Sequence, residues 1–165
     1  KSVYTQQEGL PASAILPTVG LNIARLEAFG AKLVLWDLGG QAGLRSIWDK
    51  YFAEAHALVF VVDAASASDS ARLEETRAAF ERTLASPDLH GAPVLVLANK
   101  QDLAGHTGAA AVEQALAVSN HDRADRPCRV MPACSLTGDG VQESLSWVVE
   151  AVRRSARAET LTEPL

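Results

Sequence analysis

The sequence predicts an α/β domain whose sheet is mostly parallel. Apolar runs of strand length recur at 33–36, 57–63 and 93–98, and helical spacing fills the stretches after the second and third. Runs without a polar break read as strands buried on both faces, the habit of parallel sheets. Strands that alternate with helices imply right-handed crossovers and helices covering both faces. Each run also ends beside an acid or an amide (Asp37, Asp63, Asn99). The carboxyl edge of such a sheet is where these folds hold ligands.

Taken in order, residues 1–7 read as the tail of a helix, and 8–17, with two prolines and a glycine, as a loop. Residues 19–29 alternate, with Val19, Leu21 and Ile23 on one face. Gly30 turns this strand into 31–38, giving an antiparallel hairpin. Residues 42–53 suit an irregular helix with Leu44, Ile47, Trp48 and Tyr51 on one side. After the strand at 57–63, Ser68 or Asp69 caps a helix to about residue 84, whose inner stripe is Leu73, Ala79 or Phe80, and Leu84. Pro87 stops it. The strand at 93–98, a helix at 108–118, a strand at 128–133 and a helix from 140 to about 156 follow. Arg153 and Arg154 suit the negative end of that last helix dipole. Residues 157–165 read as a C-terminal tail.

The 165 residues, 48% of them apolar, are enough for one domain, 1–165, with its own core. A net charge of −5 argues against a nucleic-acid partner. No apolar run reaches the length that spans a bilayer. Cys128 and Cys134 fall on what reads as one strand, about 20 Å apart, beyond the roughly 7 Å reach of a disulfide. Reduced, intracellular thiols are therefore expected. His56, His90, His106 and His121 have no metal-ligand spacing and read as surface or loop residues.

Four short stretches carry chemistry. Asp37-Leu38-Gly39-Gly40-Gln41 ends a strand with an acid for a metal, a bare N–H for an anion and an amide for a water, the set that phosphoryl transfer uses. Taken alone, it reads more readily as a strand ending in an Asp-Gly turn. Asn99-Lys100-Gln101-Asp102 places a carboxylate where it can accept two parallel bonds from the edge that guanine shows and adenine does not. There Asn99 can brace the loop and the Lys100 stem can lie over the ring; local backbone bonding by Asn and Asp is the plainer alternative. Cys134-Ser135 opens a turn whose N–H groups can meet a base carbonyl, or merely start a helix. Thr18, just before a strand, can ligate magnesium and meet a terminal phosphate, or simply favour strand entry.

In this order and at these strand edges, Thr18, Asp37-x-Gly39-Gly40-Gln41, Asn99-Lys100-x-Asp102 and Cys134-Ser135 resemble the GTP-binding motifs of the small GTPases. Trp36 before the acid and the double glycine resemble the ADP-ribosylation-factor branch. The stretches 18–23, 36–41, 48–51 and 93–102 carry the same likeness, which runs from about Pro17 to the last helix. The resemblance implies the three-layer P-loop NTPase fold with GTP or GDP and Mg²⁺ as cofactors and GTP hydrolysis as the reaction.

By that resemblance Thr18 and Asp37 serve the metal, Asp37 through water, and Thr18 also senses the third phosphate. The Gly40 N–H binds the γ-phosphate and Gln41 is catalytic, orienting the attacking water. Asn99 and Asp102 read guanine, Lys100 packs on the base, and the turn at Cys134 offers the Ser135 N–H to the base carbonyl. Leu21, Trp36 and Tyr51 form the effector surface, although all three would serve equally well as core. Most of the branch resembles Phe where Leu21 stands, which bears on partner choice. The hairpin is expected to shift register with nucleotide state. Further expectations are an exchange factor, effectors and an activating protein whose arginine supplies roughly 10³–10⁵ in rate; no arginine of the sequence has an obvious claim to that role. A monomer that acts from the cytoplasm, peripheral on trans-Golgi membranes in secretory traffic, completes the expectation.

One motif is absent. No G-x-x-x-x-G-K-[ST] run, the phosphate-cradling loop, occurs in the sequence. In the family the first strand lies mid-sheet, so its loss would leave two inner edges unpaired at about 1–3 kcal/mol for each buried polar group. Against a total margin of roughly 5–15 kcal/mol, the sequence is expected to belong to a longer chain that carries the loop, the first strand and most of the first helix. The contrary expectations are a non-catalytic interaction module that lost the loop, and another α/β binder of nucleotide or flavin.

Overall fold

Two sheets carry the candidate residues. The computed structural model describes residues 14–66, 69–103, 105 and 108–160. The expectations for 1–13, Ser68 and 161–165 lie outside them. The chain divides into two compact units, Lys1–Phe52 and Ala53–Leu165, each taken by itself below.

In the first unit, β1 (Leu21–Ala28) and β2 (Ala31–Leu38) pair antiparallel. The predicted turn is there: Phe29 and Gly30 both take positive φ, 53° and 67°, as a two-residue hairpin requires. The irregular helix resolves into a 3₁₀ segment, Ala42–Ile47, and a single helical turn, α1 (Asp49–Phe52). Residues 33–36 are not a buried strand. Val34 is 53% exposed, and no residue of β2 is fully buried. Its only strand partner among the described residues is β1.

In the second unit, β3 (Leu58–Asp63), β4 (Val94–Asn99) and β5 (Cys128–Pro132) form a parallel sheet in the order β3-β4-β5. The α/β fold with a parallel sheet is thus as expected, its three parallel strands in this unit and the antiparallel hairpin in the first. Among the described strands β4 is the most buried, with Val94, Leu95, Val96 and Ala98 inaccessible, because it has a strand on each side. β3 alternates instead: Phe60 and Val62 are buried while Val59 and Val61 are exposed.

Helix α2 (Ser70–Leu84) is capped by Asp69, whose carboxylate accepts from the Ala71 and Arg72 N–H groups at 3.1 and 3.3 Å. It seats Ala79, Phe80 and Leu84 in the core, with Phe80 edge-on to Phe60 at 5.1 Å. α3 (Ala109–Leu116) buries Val112 and Leu116. α4 (Val141–Arg153) stops short of residue 156, and a further turn, α5 (Arg157–Thr160), opens the expected tail. Arg157 ties that turn down. Its guanidinium donates to the carbonyls of Ala53, Ala55 and His90 at 3.2, 3.0 and 3.0 Å, and to that of Asp88. Both cysteines are free, as their spacing requires; burial pushes the Cys128 thiol up to about 11.

Gly140, the residue before α4, has φ +74°, and a Cβ there would lie 2.2 Å from the Pro132 carbonyl oxygen. Gly140→Ala is therefore expected to lose about 1–3 kcal/mol, read as a lower urea midpoint. His121 packs edge-on to buried Phe80 at 5.7 Å. Burial and then the Arg126 charge hold it below the usual imidazole value, against Glu81. The folded chain takes up this proton less readily than the unfolded one, so stability should fall as pH drops through about 6.5. His121→Gln should flatten the difference between urea midpoints at pH 7.5 and 5.5.

Candidate functional site

The hairpin register decides the chemistry of the first unit. Asp37 lies opposite Asn22, and both project from the same face. The Thr18 hydroxyl donates to Asp37 Oδ2 at 2.8 Å. The Asn22 amide reaches the same oxygen at 3.3 Å and Thr18 Oγ1 at 3.4 Å. The two residues expected to serve the metal are thus together, although 19 apart in sequence. A hydroxyl and a carboxylate are hard oxygen donors and fit Mg²⁺, which takes few protein ligands and keeps waters. Among the described residues no cluster of three or more His, Cys, Asp or Glu side chains offers a softer site.

Asn22 escaped the motif reading. The signal that finds it is cross-strand parity, since the pairing places it directly opposite the acid.

The glycine pair divides its duties. A Cβ on Gly39 would meet the Thr18 carbonyl oxygen at 2.4 Å and Leu44 at 2.8 Å, so the chain itself requires glycine there. A Cβ on Gly40 would meet nothing within 4 Å. The space over Gly40 is open, as close approach of a ligand demands. Both carbonyls of the pair are held: Trp48 Nε1 donates to Gly39 O at 3.1 Å and Arg45 Nε to Gly40 O at 2.9 Å. Gln41 is exposed just beyond.

Leu21 and Trp36 share a face of the hairpin, and the Tyr51 ring tilts onto Trp36 at 5.5 Å. All three are half-buried. The same strand parity adds Ile23 and Val34, which are 49% and 53% exposed and were not singled out by motif.

In the second unit the β4–β5 register brings Asn99 to the turn after β5. Asn99 accepts from the Ser135 N–H at 2.9 Å and donates to Ser135 Oγ at 3.0 Å. The Ser135 N–H, expected to meet a base carbonyl, is thus engaged by Asn99. Asn99 acts as the loop's brace because both ends of its amide find partners on one residue. Cys134 Sγ donates to Asp102 Oδ1 at 3.2 Å. Asp102 and Cys134 line a cavity of about 280 Å³ with Gln101, Thr137, Asp139 and Gly140.

Lys100 takes φ +67°, which an L-residue seldom adopts, and its ammonium meets Asp63 Oδ2 at 2.7 Å. Asp63 ends β3 opposite Asn99. Burial pushes its carboxyl up, but the Lys100 bond and charge, with the backbone at Ala65 and Ser66, carry it below the usual value. Asp63, too, was recognised in sequence only as a strand end.

Comparison with known proteins gives this arrangement a family. The ADP-ribosylation factor family profile matches residues 4–152. ADP-ribosylation factor-related protein 1 of Homo sapiens is 41% identical over 148 residues, 90% of this chain and 72% of the relative. ADP-ribosylation factor-like protein 3 of Saccharomyces cerevisiae is 33% identical over 146 residues, 87% of this chain and 72% of that one. The solved Arl6 BBS3 small GTPase of Trypanosoma brucei, with the bound nucleotide analogue GppNp, superposes with a TM-score of 0.77 at 31% identity. That match covers 88% of this chain and 87% of the other. The fold is that of the small GTPases, whose cofactors are GTP or GDP with Mg²⁺, and the chain belongs to the ADP-ribosylation factor family.

Proposed function

We propose that the chain is the switch part of a GTP-hydrolysing protein that recruits effectors to Golgi membranes in secretory traffic. The observation that carries the nucleotide reading is the Thr18–Asp37 hydrogen bond beside an unfilled Gly40. A hydroxyl and a carboxylate beside a glycine with open space over its Cα suit a metal-bound terminal phosphate. Mg²⁺, when bound, supplies charge neutralisation on the phosphate oxygens. Thr18 and Asp37 would hold it, Asn22 would orient both, the Gly40 N–H would meet the γ-phosphate and Gln41 would place the water.

In the second unit Asp102 reads the guanine edge, Cys134 fixes one carboxylate oxygen through its thiol, and Lys100 covers the base. Asn99 reads the guanine with Asp102 and holds the turn at Ser135 in shape. Leu21, Trp36 and Tyr51, extended by Ile23 and Val34, form the effector surface. This contiguous apolar face is larger than a lone surface residue would explain. An exchange factor and an activating protein complete the cycle. Membrane attachment is peripheral, and no helix among the described residues is long and apolar enough to cross a bilayer. The Golgi assignment rests on likeness to the related-protein branch.

Two experiments test this reading. Fluorescent-nucleotide titration should show a guanine preference that Asp102→Asn shifts toward xanthine; indifference between guanosine and adenosine forms would remove the base assignment. In parallel, Gly40→Ala should leave the urea midpoint within about 0.5 kcal/mol of the parent, since an open site carries no clash. The same variant should lower GTP affinity by at least tenfold and GDP affinity far less. Gly39→Ala should instead lose stability outright, and full GTP binding by Gly40→Ala would refute the phosphate contact.

A further inference from the structure

We propose that Trp48 and Arg45 are positioning residues that aim the backbone amides of Gly40 and Gln41 for GTP hydrolysis, an inference that rests on the GTPase reading above. A peptide unit is planar, so its carbonyl and the following N–H are fixed relative to one another. Among the described residues no peptide bond is cis, so in each of these two peptide units the two groups point in opposite directions. Trp48 Nε1 holds the Gly39 carbonyl at 3.1 Å, and the other end of that peptide is the Gly40 N–H. Arg45 Nε holds the Gly40 carbonyl at 2.9 Å, and the other end of that peptide is the Gln41 N–H. Each side chain thereby sets the direction of one amide.

The need for such pins follows from composition. Two consecutive glycines have no side chains to restrict their torsions, and an unpinned pair would sample many orientations. A third tether, from the Gly39 N–H to the Gly20 carbonyl at 3.1 Å, fixes where the pair begins. The pins also support each other. Arg45 belongs to the 3₁₀ segment, Trp48 follows it directly, and the guanidinium carbon stands 6.0 Å from the indole centroid.

The two pins have separable consequences. Trp48 governs the amide that meets the terminal phosphate, so its loss bears on preference for triphosphate over diphosphate. Arg45 governs the peptide that leads into Gln41, so its loss bears on the chemical step and leaves binding alone. Arg45 thus enters hydrolysis through the backbone, by its bond to the Gly40 carbonyl.

The test compares Trp48→Phe, which keeps the ring and removes the donor, with Arg45→Ala and Arg45→Lys. In nucleotide-free protein, NMR order parameters of the Gly40 and Gln41 N–H groups should be those of rigid backbone, about 0.85. They should fall below about 0.6 at Gly40 in Trp48→Phe and at Gln41 in Arg45→Ala. With nucleotide, Trp48→Phe should lower the GTP-to-GDP affinity ratio about fivefold. Arg45→Ala should slow single-turnover hydrolysis about tenfold with GTP dissociation unchanged within twofold. Arg45→Lys, which lacks the Nε donor, should not restore the rate. Unchanged order parameters in Trp48→Phe and Arg45→Ala would overturn the inference, as would normal hydrolysis in Arg45→Ala. If GTP binds neither to these residues nor to a chain with the phosphate loop restored, the GTPase reading fails while the order parameters still decide the pins. If Trp48→Phe does not fold, the Arg45 variants decide alone.

Discussion

Burial of β4 on both faces is the constraint on which the second unit depends. Val94, Leu95 and Val96 are inaccessible to solvent, and the strand is paired on each side. A slip of one residue would carry the polar Asn99 to the level that the buried Ala98 holds and undo its pairing with Asp63. The register is therefore fixed, and with it the level at which each neighbour ends. Asp63 arrives opposite Asn99, and Ala98 opposite Pro132. From that single alignment come the Lys100–Asp63 ion pair and the amide clasp between Asn99 and Ser135, which join segments 37 and 36 residues apart. Hydrophobic burial in the strand thus sets polar geometry at its carboxyl end.

Much of this was legible in the sequence because it is local. Strand ends, the Asp69 cap, the hairpin turn and the four motif stretches each depend on a few consecutive residues. What stayed hidden depends on pairing across the chain. Asn22 gains its meaning from lying opposite Asp37, and Ile23 from lying opposite Trp36. The buried character of β2 and β3 was over-read for the same reason. An apolar run shows that a strand could be covered, but neighbours decide whether it is, and among the described residues each of these strands has one. That Asn99 can brace the loop was legible, but that Ser135 is the residue it braces, 36 positions on, follows only from the pairing of β4 with β5.

Arg157 shows the same limit at the end of the chain. Composition marks residues after 156 as a tail, since nothing apolar continues the stripe of α4. Yet one guanidinium, with five donors in a planar fork, satisfies carbonyls from two separate loops. Loop carbonyls without ladder partners need donors from somewhere. A single long cation supplies them more economically than a further strand would, and no sequence pattern announces it.

The Lys100–Asp63 pair bears on how a base could be admitted at all. Both side chains are partly exposed, at 48% and 34%, so the pair contributes no more than about 1 kcal/mol. A contact of that size holds the ammonium to one side without opposing its displacement. The positive φ at Lys100 directs the side chain regardless of that contact, because backbone geometry and not the ion pair sets where the stem begins. A buried pair in the same place would have been several times harder to break. The loop therefore combines a positive-φ backbone with a weakly held side chain, a combination that suits the proposed packing of the Lys100 stem on a base.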